Sequence, residues 1–446
     1  MTVAAALLLT SAPSAQAVLW PIGGPVASAP DPDEPVLTPE ETAALEAELR
    51  ADVEEQIRSD VSALLKGNGL GSAYSVDVVD VASGESIYSR SATTARTAAS
   101  NTKLFTAAAA LESLGPTKTF TTKAVRAGRS RTVTLVAGGD PRMTNARLRS
   151  LATQTAADLA KRKPATTKLK GKRTRVVNVR LDDRVFKGAT KLASWRQGGY
   201  GLGTIQPVRG IARTTSRTTD SSASAAKAYA KYLGATLGKG WTVRYVGRAA
   251  APTKVRTAGV VRSDTVETLV KRMLLVSDNQ VAEVLHRHVG RSQGYGGSFA
   301  GGAKGTRKVM KKLGVDLGSS TFVDGSGLSP ANRITARALT NLLVVAADPN
   351  HARLHPILYT DWSLPLAGRT GTLASRFAGP ATCARGEVAA KTGSLDYEIA
   401  LSGYTVGADD RLKAFSVVAN ELRTWSSRQK ARTTADQLAS AVYGCL

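Results

Sequence analysis

The segment Ala99-Ser100-Asn101-Thr102-Lys103-Leu104-Phe105 runs on into Thr106-Ala107-Ala108-Ala109-Ala110-Leu111. It sets a hydroxyl and an amine three residues apart, at the head of an almost wholly apolar stretch. Residues at i and i+3 share a helix face, so the Ser100 and Lys103 side chains are expected to meet. A helix that is apolar on every side is a buried one. Burial disfavours the charged form of a lysine. Bringing an amine pKa from about 10.4 to about 7 costs about 4–5 kcal/mol. Such a cost is understandable if the neutral amine serves as a base for the neighbouring hydroxyl. Two further Ser-x-x-Lys spacings, Ser224/Lys227 and Ser427/Lys430, lie in segments rich in lysine, arginine or threonine, which suits a surface.

Working outward, the chain changes character three times. Val18 to Val36 is rich in proline, glycine and acid and reads as a linker, residues 18–37. Thr38-Pro39-Glu40-Glu41 has the form of a capping box with proline in the first turn, and an acidic amphipathic helix is expected to about Lys66. Tyr74–Val81 and Ser86–Ser89 alternate about a Ser83-Gly84 turn and predict a hairpin.

From about Thr119 to Arg262, short strands such as Thr132–Val136 and Arg175–Val179 alternate with helices near residues 146–162 and 223–237. This block, taken as 119–262, reads as a domain inserted into another that comprises 38–118 and 263–446. It carries the densest basic cluster, from Lys161 to Arg175, read as a solvated face. Beyond it come helices, a Gly-rich loop at Gly290–Gly302, and a helix over about Thr335–Ala347. An antiparallel meander over Glu387–Asn420 follows, then a last helix over about Thr434–Val442.

Composition narrows the setting. The 446 residues carry a formal charge of +25, which attracts polyanions. No apolar stretch is long enough to span a bilayer. Met1–Thr10 is apolar and Ser14-Ala15-Gln16-Ala17 has the small-x-small form of a signal-peptidase site, so residues 1–17 are expected to be a signal peptide. Two cysteines, Cys383 and Cys445, suit an exported protein with one disulfide. An exported, extracytoplasmic location makes an anionic wall polymer, not nucleic acid, the expected polyanion. His286 and His288 face different ways on one helix, and His351 and His355 lie near a loop, so neither a metal nor a cofactor is expected.

Three patterns stand in one order: Ser-x-x-Lys at 100–103, Ser-x-Asn at 277–279 and Lys-Thr-Gly at 391–393; the last two occur once each. This is the signature of penicillin-binding proteins and class A β-lactamases. Further detail comes from Ala282-Glu283 after Ser277-Asp278-Asn279, from Asp324-Gly325-Ser326-Gly327-Leu328-Ser329, and from Leu364–Gly368 with Gly371-Thr372-Leu373. With Ala390–Leu395, the chain resembles the S13 peptidases, the low-molecular-mass class C penicillin-binding proteins.

That resemblance implies an α/β (α+β) transpeptidase-like fold, an antiparallel sheet flanked by helices, with an inserted α/β domain between the first two motifs. It implies a serine-type D-Ala-D-Ala carboxypeptidase, with DD-endopeptidase activity as a second outcome, acting on peptidoglycan stem peptides and acylated by β-lactams. Ser100 would be the nucleophile and Lys103 its base. Ser277 would pass a proton to the leaving amine, and Asn279 would bind the substrate amide. Lys391 and Thr392 would hold the terminal carboxylate, with Gly393 beside them. The N–H groups of Ser100 and Ser394 would form the oxyanion hole. Asp140, in Gly138-Gly139-Asp140-Pro141, would meet the free amine of the stem-peptide side chain. Pro330 stands where the family often has arginine, and Arg333 is the expected substitute. The competing readings are a β-lactamase, which lacks its Glu-x-x-Leu-Asn loop here, and a catalytically idle wall-binding protein.

Overall fold

The computed structural model describes residues 38–360 and 363–446. The expected signal peptide and linker lie outside the described residues. A five-stranded sheet forms the centre of the larger unit. Its strands run in the order Val388–Ser394, Ile399–Val406, Leu412–Asn420, Ala73–Asp80, Ser86–Arg90. Every neighbouring pair is antiparallel.

Side chains alternate between the two faces of a strand. Phe415, Val417 and Ala419 pack on one face with Ile57 and Val61 of the helix Pro39–Lys66 and Leu438 of the helix Trp425–Tyr443. Ala389, Ala414 and Val418 point to the other face. There the helices Thr102–Leu114, Val266–Leu275, Asn279–Ser292, Phe299–Lys312 and Ala336–Ala347 close a second core. The antiparallel sheet flanked by helices is the expected architecture.

Residues between the first two motifs form a mixed sheet of six strands. Asn145–Lys161 and Ser221–Leu237 cover it with apolar faces built on Leu148, Leu151, Tyr229 and Leu233. Its first and last strands, Thr121–Arg126 and Arg256–Arg262, pair antiparallel, so the chain enters and leaves this unit side by side.

Two local expectations needed revision. The last helix begins at Trp425, earlier than its apolar spacing suggested. Thr424 caps it, with Ser427 returning the bond as the third residue of a capping box. The polar first turns of this helix carry little periodicity. The Gly290–Gly302 stretch is not a single loop. It holds the end of Asn279–Ser292 and the start of Phe299–Lys312.

Candidate active site

Ser100 sits in a 3-10 turn, Ala99–Asn101, that leads straight into the helix Thr102–Leu114. Thr102 through Leu111 are all buried, as the apolar run predicted. Ala99 takes a left-handed backbone, φ 48°, immediately before Ser100. Such a conformation is strained for a residue with a Cβ and is found where a site over-determines it. Asn101 helps to fix it, donating to Ser402 Oγ (2.7 Å) on the sheet. Gly327 fixes the other side. Its φ is 81°, and a Cβ there would fall 1.8 Å from the Ala99 carbonyl oxygen.

Lys103 has no exposed surface. Its Nζ lies 2.8 Å from Ser100 Oγ, 2.8 Å from Asn279 Oδ1 and 2.7 Å from the Ser326 carbonyl oxygen. Burial pushes its pKa down to about 8, against the opposing pull of Asp324, Glu283 and Asp278. Those carboxylates are why the shift stops short of neutrality. The Asp324–Ser329 turn that presents Ser326 is itself pinned. Asp324 accepts from Gly327 N, Ser329 N, Asn332 Nδ2 and Trp195 Nε1, at 2.7–2.8 Å. Glu283 accepts from Ser326 N at 2.7 Å and also from Gly325 N. Burial, with Asp324 beside it, raises the Glu283 carboxyl to about 8.

Lys391, Gly393 and Ala389 share the strand face toward the Ser100 turn. A Cβ at Gly393 would come 2.7 Å from the Ala98 carbonyl oxygen, so glycine lets the strand close on the turn. Lys391 is fully buried and donates to the Thr392 carbonyl (2.8 Å). Burial, then the charges of Lys103 and Arg376, hold its pKa well below the usual lysine range. An incoming carboxylate would offset that. Thr392 Oγ1 meets Thr372 Oγ1 at 2.7 Å. The strand Val388–Ser394 is at the sheet edge. Pro365–Ala367 covers its first half through Ala367 N→Val388 O and Ala390 N→Pro365 O. Past Ala390 the edge has no such cover among the described residues. Ser394 ends the strand, and Ser100 opens a helix, where N–H groups lack intrahelical partners.

The D-Ala-D-Ala carboxypeptidase 3 (S13) family matches residues 57–215 and 200–442. The chain belongs to that family. It is a serine-type D-Ala-D-Ala carboxypeptidase and a penicillin-binding protein. It is 31% identical to a D-alanyl-D-alanine carboxypeptidase of Actinomadura sp. strain R39, over 82% of this chain and 81% of the relative. It is 28% identical to carboxypeptidase Rv3627c of Mycobacterium tuberculosis, over 82% of this chain and 79% of that one. Penicillin binding protein 4 of Haemophilus influenzae shares its fold, with a TM-score of 0.71 at 21% identity, over 86% of this chain and 99% of that structure.

The S13 enzyme roofs its site with the inserted domain. Trp195, fully buried, reaches Asp324 and stacks edge-on against Phe299 (5.1 Å). Ser194 Oγ meets Ser329 Oγ at 2.9 Å, and Thr204 O accepts from Asn279 Nδ2 at 3.3 Å. Sequence reasoning missed Trp195, Glu283, Asp324 and Thr372 as site-builders. Three of the four lay in motifs already quoted for the family, but only tertiary contact shows what they hold.

Not every expected residue joins the cluster. Ser277 adopts φ 57° next to it, and its hydroxyl makes no hydrogen bond among the described residues. Asp140 is 1% exposed. Its Oδ1 accepts from Arg142 N (2.7 Å), and Arg147 Nη1 stands 3.7 Å from Oδ2. Arg333 turns back on its own loop, donating to Pro330 O, Thr97 Oγ1 and Asn332 O. Cys383 and Cys445 are joined, tying the C-terminus to the segment before the Lys391 strand.

Proposed function

We propose that Ser100 is acylated by the penultimate D-alanine of a peptidoglycan stem peptide. The observation that carries this is the 2.8 Å approach of a desolvated Lys103 Nζ to Ser100 Oγ. Oγ attacks the carbonyl carbon and its proton passes to the neutral amine of Lys103. The Ser100 and Ser394 N–H groups stabilise the oxyanion. The C–N bond breaks, a proton reaches the leaving amine through Ser277, and D-alanine departs. Water then hydrolyses the Ser100 ester. Asn279 binds the substrate amide, and Lys391 with Thr392 holds the terminal carboxylate. The peptide adds as a strand along the open edge beyond Ala390. The same steps cleave a cross-link when the leaving amine belongs to a neighbouring stem.

β-Lactams enter the same reaction and stop at the ester. Glu283 is spent on backbone N–H groups, and Asp324 on backbone N–H groups with Asn332 and Trp195, which supports slow deacylation over β-lactamase turnover. The disulfide and the substrate both suit an extracytoplasmic space after signal-peptide removal. The +25 charge supports contact with an anionic wall polymer there.

The test is labelling with fluorescent penicillin and mapping the adduct by peptide mass spectrometry. A stable adduct on Ser100 is expected. Folded protein that takes no label would overturn the reading, and rapid nitrocefin turnover would replace it with a β-lactamase.

A further inference from the structure

Away from Ser100, a depression of about 1070 Å³ opens between the inserted domain and the catalytic one. The helices Thr102–Leu114 and Asn279–Ser292 both end at it, through Leu114, Arg291 and Ser292. At 1.5 Å per residue, those ends lie about 15–20 Å from Lys103 and Asn279. His288 forms the floor. Its imidazole is buried, stacks on Phe120 with ring centroids 3.7 Å apart and meets Phe186 edge-on at 5.0 Å. Its Nε2 is 3.1 Å from the Gly139 carbonyl oxygen. Around this floor stand Lys118, Lys123, Arg184, Lys187 and Arg291, against one lining carboxylate, Asp182. Arg184 occupies that carboxylate through Nε and Nη2, both at 2.8 Å. The side chains of Lys118, Lys123, Lys187 and Arg291 are exposed and make no hydrogen bond or ion pair among the described residues. Burial lowers the His288 pKa to about 3, and the charges of Arg291 and Lys118 act in the same direction.

We propose that this depression holds a phosphodiester chain of an anionic wall polymer. Four cations without a counter-charge converge on one concave surface, so a polyanion lying there meets several of them at once. An ammonium group is a compact point charge that suits phosphate, whereas a carboxylate is matched best by a guanidinium fork. Three of the four free cations are lysines. The aromatic floor takes the carbon backbone between successive phosphates. The denser basic run from Lys161 to Arg175 lies elsewhere, and none of it lines the depression. An enzyme held here keeps its cleft free for stem peptides. The inference gives a place to the polymer contact proposed above and rests on that contact, not on the chemistry at Ser100.

Two triple variants of matched charge test it by calorimetric titration with a short poly(glycerol phosphate) oligomer. One combines Lys118→Gln, Lys123→Gln and Lys187→Gln at the depression. The other combines Lys168→Gln, Lys170→Gln and Lys172→Gln in the basic run. All six lysines are exposed, and each variant loses the same positive charge. The first is expected to bind about 10- to 100-fold more weakly than wild type, as loss of three lysines from an anion-binding surface implies. The second should bind nearly as wild type does. Wild-type affinity should fall as salt is raised. Penicillin labelling of Ser100 should be alike in all three proteins, which shows that each is folded. Equal weakening in the two variants overturns the site and leaves the general polymer contact standing. No binding by the wild-type protein overturns both. Equally tight binding of a poly-glutamate of the same charge overturns the assignment to phosphodiesters.

Discussion

Lys103 Nζ stands 2.8 Å from Ser100 Oγ with no exposed surface of its own. Its pKa of about 8 sits below the ordinary lysine value because burial disfavours the cation. In the proposed reaction the neutral form is the base, and its fraction rises with pH. Acylation by penicillin is therefore expected to speed up through an inflection near pH 8 and to fall about tenfold per unit below it. Lys103→Ala should lose about 10²–10⁴-fold in acylation rate. A pH-independent rate between 6 and 9 would contradict this role.

Glu283 supports the loop that presents Ser326 to Lys103. Glu283→Ala leaves two buried N–H groups, Gly325 and Ser326, without an acceptor. The cost in urea unfolding should be about 2–4 kcal/mol. Glu283→Gln keeps an acceptor and should cost less. Where Glu283 is ionised, above about pH 8, the substitution also removes a negative charge that favours the Lys103 cation. The acylation inflection should then move to lower pH, and an upward shift would refute the assignment.

Gly327 touches the nucleophile turn without touching substrate. Gly327→Ala puts a methyl group on the Ala99 carbonyl at a left-handed φ of 81°. The Ser100 turn has to shift. A displacement of about 1 Å at a reacting group costs about 10²-fold in rate. Circular dichroism should remain native while fluorescent-penicillin labelling slows by about that factor.

Trp195 links the inserted domain to the catalytic one. Trp195→Ala removes a fully buried ring and the Asp324 hydrogen bond, and should destabilise by about 3–5 kcal/mol. Trp195→Phe keeps most of the packing and loses the donor, so its cost should be smaller. If thermal unfolding of the Ala variant matched wild type, the roof would not be structural.

The parts of this enzyme that could be read early are those with local signatures. The Thr38/Glu41 capping box, the hairpin about Ser83-Gly84, the buried run Thr102–Leu111 of the Ser100 helix and the Glu387–Asn420 meander each follow from spacing alone. The order of Ser100/Lys103, Ser277/Asn279 and Lys391–Gly393 carries the family resemblance. What stayed hidden depends on contacts between distant segments. Nothing near Trp195 announces Asp324, 129 residues away. Asp140 reads as a free carboxylate until Arg142 and Arg147 are seen against it. Lys118, Lys123, Lys187 and Arg291 look like scattered surface charge, because the fold alone brings them to one depression.

The three polar partners of Lys103 come from residues 100, 279 and 326, and the Lys391 strand comes later still. No fragment of the nascent chain holds a working set. Contacts spanning more than 200 residues form late in folding, once the intervening segments have been ordered. The enzyme is therefore silent throughout its own synthesis and becomes competent only as a finished molecule. For a hydrolase that acts on peptidoglycan, incompleteness acts as a safety catch.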